Sequence, residues 1–282
     1  LDGASMTHLH WPNRWGDALA FVALGFGALC MIGPFVWMIA TSLKPVAEQF
    51  DMALIPATPT LENYPRLFDI LPMHLLLWNS FKIALISTFG QLLTCSMAGF
   101  IFAVVRFPFR NAIFVILLLT LMVPGQITAI PQFIIFRFLG LYGTQAPLYA
   151  PAFLGGAFGT FLMRQYFLTI PIELAEAARI DGASLARIFF TIYLPLAKPA
   201  LAAFAIFAFM FSWNELFTAL IYLPSDLEKT TLTVGLALFQ QQYSGQWPLI
   251  MAASLFSVAP IIIVFFLAQR HFIAGISMSG LK

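Results

Sequence analysis

Between Pro171 and Pro195 the stretch PIELAEAARIDGASLARIFFTIYLP sets Glu173, Glu176, Arg179, Asp181 and Arg187 among small alanines, in a chain only 9% of whose residues are charged. Carboxylates and guanidinium groups in this mixture suit charge-assisted hydrogen bonds to another surface. With no histidine or cysteine among them, they do not suit nucleophilic catalysis. A second polar group lies in FSWNELF, where Glu215 interrupts an apolar run. An ionisable side chain at membrane depth costs about 2.5–3.5 kcal/mol on insertion scales, so it turns inward and takes a partner. Glu215, Asn214 and Trp213 together offer an acceptor, a donor and a stacking face, which suits a polyhydroxylated ring; an interhelical hydrogen bond that fixes a helix bundle fits the same residues. Gln91 and Gln126 are further candidates for lining a polar path. The 4 histidines, His8, His10, His74 and His271, are scattered, and the 2 cysteines, Cys30 and Cys95, sit in apolar sequence, so no metal or nucleophile spacing appears. There is no G-x-x-x-x-G-K-[ST] loop to grip nucleotide phosphates, and the 14 basic residues form no nucleic-acid patch. No cofactor is expected on this chain and no catalytic residue is assigned.

The elements that must position these groups follow from composition. The chain is 61% hydrophobic with a mean hydropathy of +0.90, far from soluble domains with about 25% charged residues. It reads as an all-α integral membrane protein. Six apolar windows, about residues 18–42, 78–105, 111–136, 146–168, 199–223 and 247–269, reach the roughly 20 residues that a helix needs to cross the hydrocarbon layer. A porin-like barrel would show short alternating segments instead. Residues 6–282 form one transmembrane domain in this reading, with no internal repeat and no cleavable signal peptide, and LDGAS before Met6 reads as an expression-vector remnant. With the N-terminus inside, Arg14, Arg106, Arg110, Arg164, Arg179, Arg187, Lys198, Arg270 and Lys282 fall on or near the inner face. Lys44, Arg66, Lys82, Arg137 and Lys229 fall outside, and this excess makes both termini cytoplasmic.

Residues 44–76, rich in proline and polar side chains, form an outer loop with short helices at best, and RFPFR, Arg106–Arg110, a tight inner turn. Pro124, Gly125 and Pro131 should bend the third helix and turn it toward the bundle interior. Gly155, Gly156 and Gly159 should let neighbouring helices approach closely. Arg164 is expected to snorkel to the inner interface. The charged stretch falls between the fourth and fifth windows. Pro171 opens a helix, Glu173 and Glu176 sit in its first turns where the dipole favours them, and Asp181-Gly182 breaks it before a second segment ends at Pro195. Helices this short are marginal alone in water, so something holds the elbow. Leu174, Ala177, Ala178 and Ile180 suit a shallow groove on another protein, with Glu176, Arg179, Asp181 and Arg187 pairing around its edge; an amphipathic elbow resting on lipid fits equally well.

The spacing E-A-A, three residues, G, nine residues, I, one residue, L-P is met by Glu176-Ala177-Ala178, Gly182, Ile192, Leu194 and Pro195. It resembles the signature cytoplasmic loop of permease subunits of binding-protein-dependent ABC importers. RFPFRN, WNE at Trp213–Glu215 and the ending FIAGISMSGLK resemble the carbohydrate-uptake branch, with its maltose-type and glycerol-3-phosphate permeases. The resemblance implies a type I importer permease fold of six transmembrane helices, with residues 171–195 as the coupling helix that docks in a cytoplasmic ATPase. It assigns the contact to Glu176, Ala177, Ala178, Asp181, Gly182, Ser184 and Arg187. It also implies a second homologous permease, two ATPase subunits holding ATP and Mg, an extracytoplasmic solute-binding protein and the cytoplasmic membrane of a bacterium or archaeon. Gln240–Tyr243 and SGQW lie on the outer side, where such a binding protein would dock or where water alone solvates a loop. The glycine-bearing C-terminal tail of the family is represented here by Gly280. A rival reading is an ion-coupled secondary transporter with Glu215 as its ion site; such folds carry inverted repeats and interrupted helices, and the sequence displays neither.

Overall fold

The computed structural model describes residues 14–223 and 226–279. The expected remnant at residues 1–5 and the tail from Gly280 lie outside the described residues. The chain divides into two compact units, residues up to Tyr64 with 245–255, and Pro65–Ser244 with the residues from Phe256.

In the first unit, helix α1 (Arg14–Ser42) leaves its apolar side chains exposed on every side from Ala18 to Trp37. A helix that is hydrophobic all round takes lipid or another apolar helix as its solvent. Where the chain leaves α1, the buried Lys44 donates from Nζ to the Asp51 carbonyl at 2.6 Å, and Asn63 donates from Nδ2 to the Ser42 and Lys44 carbonyls at 2.8 and 2.9 Å. These bonds, with a 3₁₀ turn at Val46–Glu48, give the expected outer loop a defined path. Its short helix, α2, is Asn63–Ile70.

The second unit carries α3 (Met73–Val104), α4 (Arg110–Leu119), α5 (Gly125–Phe138), α6 (Ala146–Tyr149), α7 (Ala157–Phe167), α8 (Glu173–Ile180), α9 (Leu185–Ile188), α10 (Leu194–Leu196), α11 (Lys198–Trp213), α12 (Phe217–Tyr222) and α13 (Leu232–Gln242), with α14 (Trp247–Ser279) contributing turns to both units. Ala18–Ser42, Met73–Val104, Ala146–Phe167 and Trp247–Phe266 are each long and apolar enough to cross a membrane. Two bent pairs, Arg110–Met122 with Gly125–Phe138 and Leu185–Leu196 with Lys198–Trp213, raise these 4 to 6 if each pair is one span.

Three of the expected spans are interrupted, the third of them as its prolines require. The third turns by 98° at Val123-Pro124, where Val123 is extended and proline offers no N–H to continue the helix, whereas Pro131 sits inside α5 without breaking it. The fourth passes through a 3₁₀ segment, Ala150–Leu154, and then Gly155 at φ +86° before α7 begins. The fifth window, read as 199–223, stops at Trp213 and restarts at Phe217. The second helix starts at Met73, ahead of the expected residue 78, and Asn79 and Ser80 hold it to the chain before α13. Asn79 donates from Nδ2 to the Glu228 and Thr230 carbonyls at 2.7 and 3.1 Å, and Ser80 Oγ accepts the Leu232 N–H at 2.7 Å.

The core of this unit joins α3, α7 and α11 to the segment after α9. Phe100 meets Phe167, Phe189 and Tyr193 at ring-centroid distances of 6.3, 5.3 and 5.0 Å. Of the three glycines expected to admit close packing, Gly159 does so most tightly. A β-carbon there would strike the Phe204 ring and lie 2.8 Å from Cys95 Sγ.

Candidate functional site

The elbow is built by local bonds. The Pro171 carbonyl accepts the Leu174 N–H and the Ile172 carbonyl accepts those of Ala175 and Glu176, so α8 starts just after the proline with Glu173 and Glu176 in its positive first turn. It ends where Gly182 takes φ +80°, with the Gly182 N–H on the Arg179 carbonyl at 3.0 Å and that of Ala183 on the Ala178 carbonyl at 2.9 Å. Ser184 Oγ then accepts the Arg187 N–H at 3.3 Å and caps α9. A π turn at Phe189–Tyr193 leads through α10 into α11, with a bend of 81° between the two arms.

The two faces of α8 differ in chemistry. Ala175, 1% exposed, belongs to the core cluster with Phe100, Phe167, Ile188 and Tyr193, and Ala178 packs against it. Leu174, Glu176, Ala177, Arg179, Asp181, Gly182 and Arg187 are exposed, and Ile180 stands out at 87%. Among the described residues no ion pair joins any of the elbow's charged side chains. The edge charges therefore do not close on one another, and Ala175, which the sequence reading passed over, helps with Ile188, Phe189 and Tyr193 to fix the elbow to the helices.

The second site is a cavity of about 630 Å³ bounded by α3, α5, α11, α12 and the segment before α7. All three helix interruptions open onto it, through Gly125 and Gln126, Gly155 and Gly156, and Glu215. Broken backbone inside a membrane is tolerated where it lines a cavity or finds substitute partners. At the third break, half-buried Glu215 accepts the Thr218 N–H on Oε1 at 2.8 Å, its carbonyl accepts the Thr233 hydroxyl at 2.9 Å, and Asn214 Nδ2 returns to the Met210 carbonyl at 2.8 Å.

Gln91, Gln126 and Glu215 thus share one cavity; Trp213 and Asn214 do not line it. Trp213 is buried against Phe209 and donates from Nε1 to the Ser257 carbonyl at 3.0 Å, so its ring face is occupied. Lining residues that the sequence reading missed include Ser87, Thr128, Gln132 and Tyr222. The Tyr222 ring is packed by Phe133 and Phe136, and among the described residues its buried hydroxyl has no hydrogen-bonding partner. Arg164 is half-buried among the helices. Its Nε donates to the Phe102 carbonyl at 3.3 Å and its guanidinium lies 4.2 Å from the Phe114 ring centroid, a cation–π contact. The interrupted helices also remove one ground on which the ion-coupled reading was set aside.

Comparison with known proteins supplies the discrimination. Residues 96–278 match the family described as binding-protein-dependent transport system inner membrane component. The chain is similar to the arabinooligosaccharides transport system permease protein AraQ of Halalkalibacterium halodurans, 35% identical over 272 residues, with 94% of this chain and 96% of that one covered. It is similar to the sn-glycerol-3-phosphate transport system permease protein UgpE of Pectobacterium atrosepticum, 34% identical over 275 residues, covering 94% and 97%. It also resembles a chain in the crystal structure of a bacterial ABC transporter involved in the import of the acidic polysaccharide alginate, with a TM-score of 0.74 and 26% identity over 96% of this chain and 100% of that chain.

Proposed function

As this chain belongs to the binding-protein-dependent transport system inner membrane components, we propose that it is the permease subunit that carries a sugar or sugar derivative inward in an ATP-driven importer. It is a transport subunit and not an enzyme. In this reading it crosses the cytoplasmic membrane six times with both termini inside. It pairs with a second permease, receives cargo from an external binding protein and docks residues 171–195 on one of two ATPase subunits that hold ATP and Mg. Glu176, Ala177, Asp181, Gly182 and Arg187 make the docking surface. Ser184 shapes it by capping α9.

One observation carries the reading. The underside of α8 is packed into the core that unites α3, α7 and α11, and α3 and α11 also bound the cavity, at Gln91 and Ser212. Close-packed interiors transmit displacement instead of absorbing it. A push on the elbow therefore moves the cavity walls, and the charges left open on its outer face are available to the motor that pushes.

Affinity capture of the intact complex from membranes is expected to bring down a second permease and ATPase chains. Uptake by the reconstituted complex should stop without ATP and survive collapse of ion gradients. Gradient-driven uptake by this chain alone would overturn the reading.

A further inference from the structure

We infer that the turn between α3 and α4 binds the phosphate group of an anionic phospholipid in the inner leaflet, an inference that takes its leaflet from the importer reading. The turn encloses a pocket of about 330 Å³ lined by Arg106, Phe107, Phe109, Arg110, Asn111 and Ala112. No carboxylate stands in its wall.

The donors in this pocket are unspent. Arg106 is exposed, and among the described residues its side chain has no hydrogen bond and no ion pair. Arg110 gives one N–H, from Nη1, to the Val105 carbonyl at 3.4 Å and keeps the rest of its five donors. The exposed Asn111 amide has no partner among the described residues. Arg164 feels the charge of Arg110, so a third cation adds to the field of the pocket. Two guanidinium forks and an amide match the oxygens of a phosphodiester, the anion that planar, bidentate donors recognise best. The backbone is bent to present them. Phe109 takes φ +61°, alone among the described non-glycine residues, and a bulky side chain is strained there. The Phe107 carbonyl accepts the Arg110 N–H at 3.3 Å and the Phe109 carbonyl that of Ile113 at 2.9 Å, which closes the turn with both arginines on one pocket and leaves the Phe109 ring 80% exposed.

Two observations make lipid the source of the phosphate. Helix α4 begins at the pocket and leaves Ile113, Val115, Ile116 and Leu119 exposed, so an apolar surface starts where the cationic one ends. An outward phenylalanine at such a boundary suits the region just beneath a headgroup. The turn also lies at the elbow's end of the helices. Phe100 of α3 reaches Phe167 and Tyr193, and two residues further on the Phe102 carbonyl accepts from Arg164 Nε. With the elbow facing the cytoplasm, the turn meets the leaflet that carries the anionic lipids.

The test is lipid retention by the intact complex, exchanged into phosphatidylcholine, titrated with phosphatidylglycerol and read by native mass spectrometry on this chain as it leaves the complex. Bound phosphatidylglycerol should saturate. Arg106→Gln with Arg110→Gln should weaken its binding by roughly tenfold or more, the effect of two arginines at an anionic membrane surface. Arg106→Lys with Arg110→Lys keeps both charges, loses the forks and should fall between. Undiminished retention by the glutamine variant would overturn the inference, and so would equal retention of phosphatidylcholine by the wild-type chain, a result that needs no variant to fold. Displacement of phosphatidylglycerol by millimolar inorganic phosphate would make a soluble anion the occupant and overturn the lipid assignment. A purified complex without ATPase chains would count against the importer reading, and the lipid titration on this chain would still decide the inference.

Discussion

Glu176 and Glu215 are both carboxylates in a chain with few charges, yet the molecule treats them oppositely. Glu176 is exposed on a helix whose ends are closed by backbone bonds, and among the described residues it has no ion-pair partner. Glu215 is half-buried at a helix break, where its Oε1 and its carbonyl take up the Thr218 N–H and the Thr233 hydroxyl. An exposed, unpaired cluster on a well-formed scaffold is a surface with its partner missing. A half-buried carboxylate spent on the chain's own backbone is the repair that lets a helix break inside an apolar environment. In the proposed reading the elbow serves another chain, while this chain's helices bound the cavity, and Phe100 and its neighbours lie between them.

The largest effect is expected where the two regions meet. Phe100→Ala removes a ring that is 2% exposed and touches Phe167, Phe189 and Tyr193, a change that typically costs about 3–5 kcal/mol. Purified complexes should melt earlier and hydrolyse ATP with little uptake, and Phe100→Leu should lose less. Tight coupling in Phe100→Ala would show that the elbow and the cavity communicate by another route.

Gly182 sharpens the elbow side. Its φ of +80° strains any β-branched residue although no atom of the described residues lies within 4 Å of the added carbon, at a cost of roughly 1–2 kcal/mol. Gly182→Val should cut uptake per ATP hydrolysed by about tenfold if that strain falls on coupling, and Gly182→Asn, which tolerates the left-handed region, by less. Equal losses would indicate that docking contacts matter more than the turn.

Glu215 probes the cavity side. Glu215→Ala frees the Thr218 N–H and loses about 1 kcal/mol of capping, with cargo KM rising more than ATPase activity falls. Glu215→Gln keeps an acceptor and should sit between the two. The smallest change is Ser184→Ala, which removes a 3.3 Å cap from an exposed helix and costs about 0.5 kcal/mol, visible as a slight loss of coupling and no change in cargo KM.

What was legible in the sequence follows the same division. The elbow's helix, turn and second segment are written locally, in Pro171, Gly182 and the alanines between, and backbone bonds within a few residues set their limits. The cavity is not written that way. Gln91, Gln126 and Glu215 drew attention because polar groups in apolar runs are costly, but which of their neighbours face inward depends on three interruptions. Two of these, at Gly155 and at Asn214–Glu215, carry no proline at the break itself. Trp213 looked like a stacking face because sequence adjacency to Glu215 ignores the helix end between them; the break turns Glu215 into the cavity and leaves Trp213 on Ser257. The contacts of Arg164 with Phe102 and Phe114 were not legible because those residues lie on other helices.

The claim that residues 171–195 receive force from a separate ATPase is tested most directly by placing a cysteine on the exposed face, Ala177→Cys with Cys30→Ser, since Cys95 is buried. In the intact complex a short thiol cross-linker should join Ala177→Cys to an ATPase subunit, and the adduct should block uptake. Labelling of the same cysteine by a lipid-confined probe, with no ATPase adduct, would contradict the account.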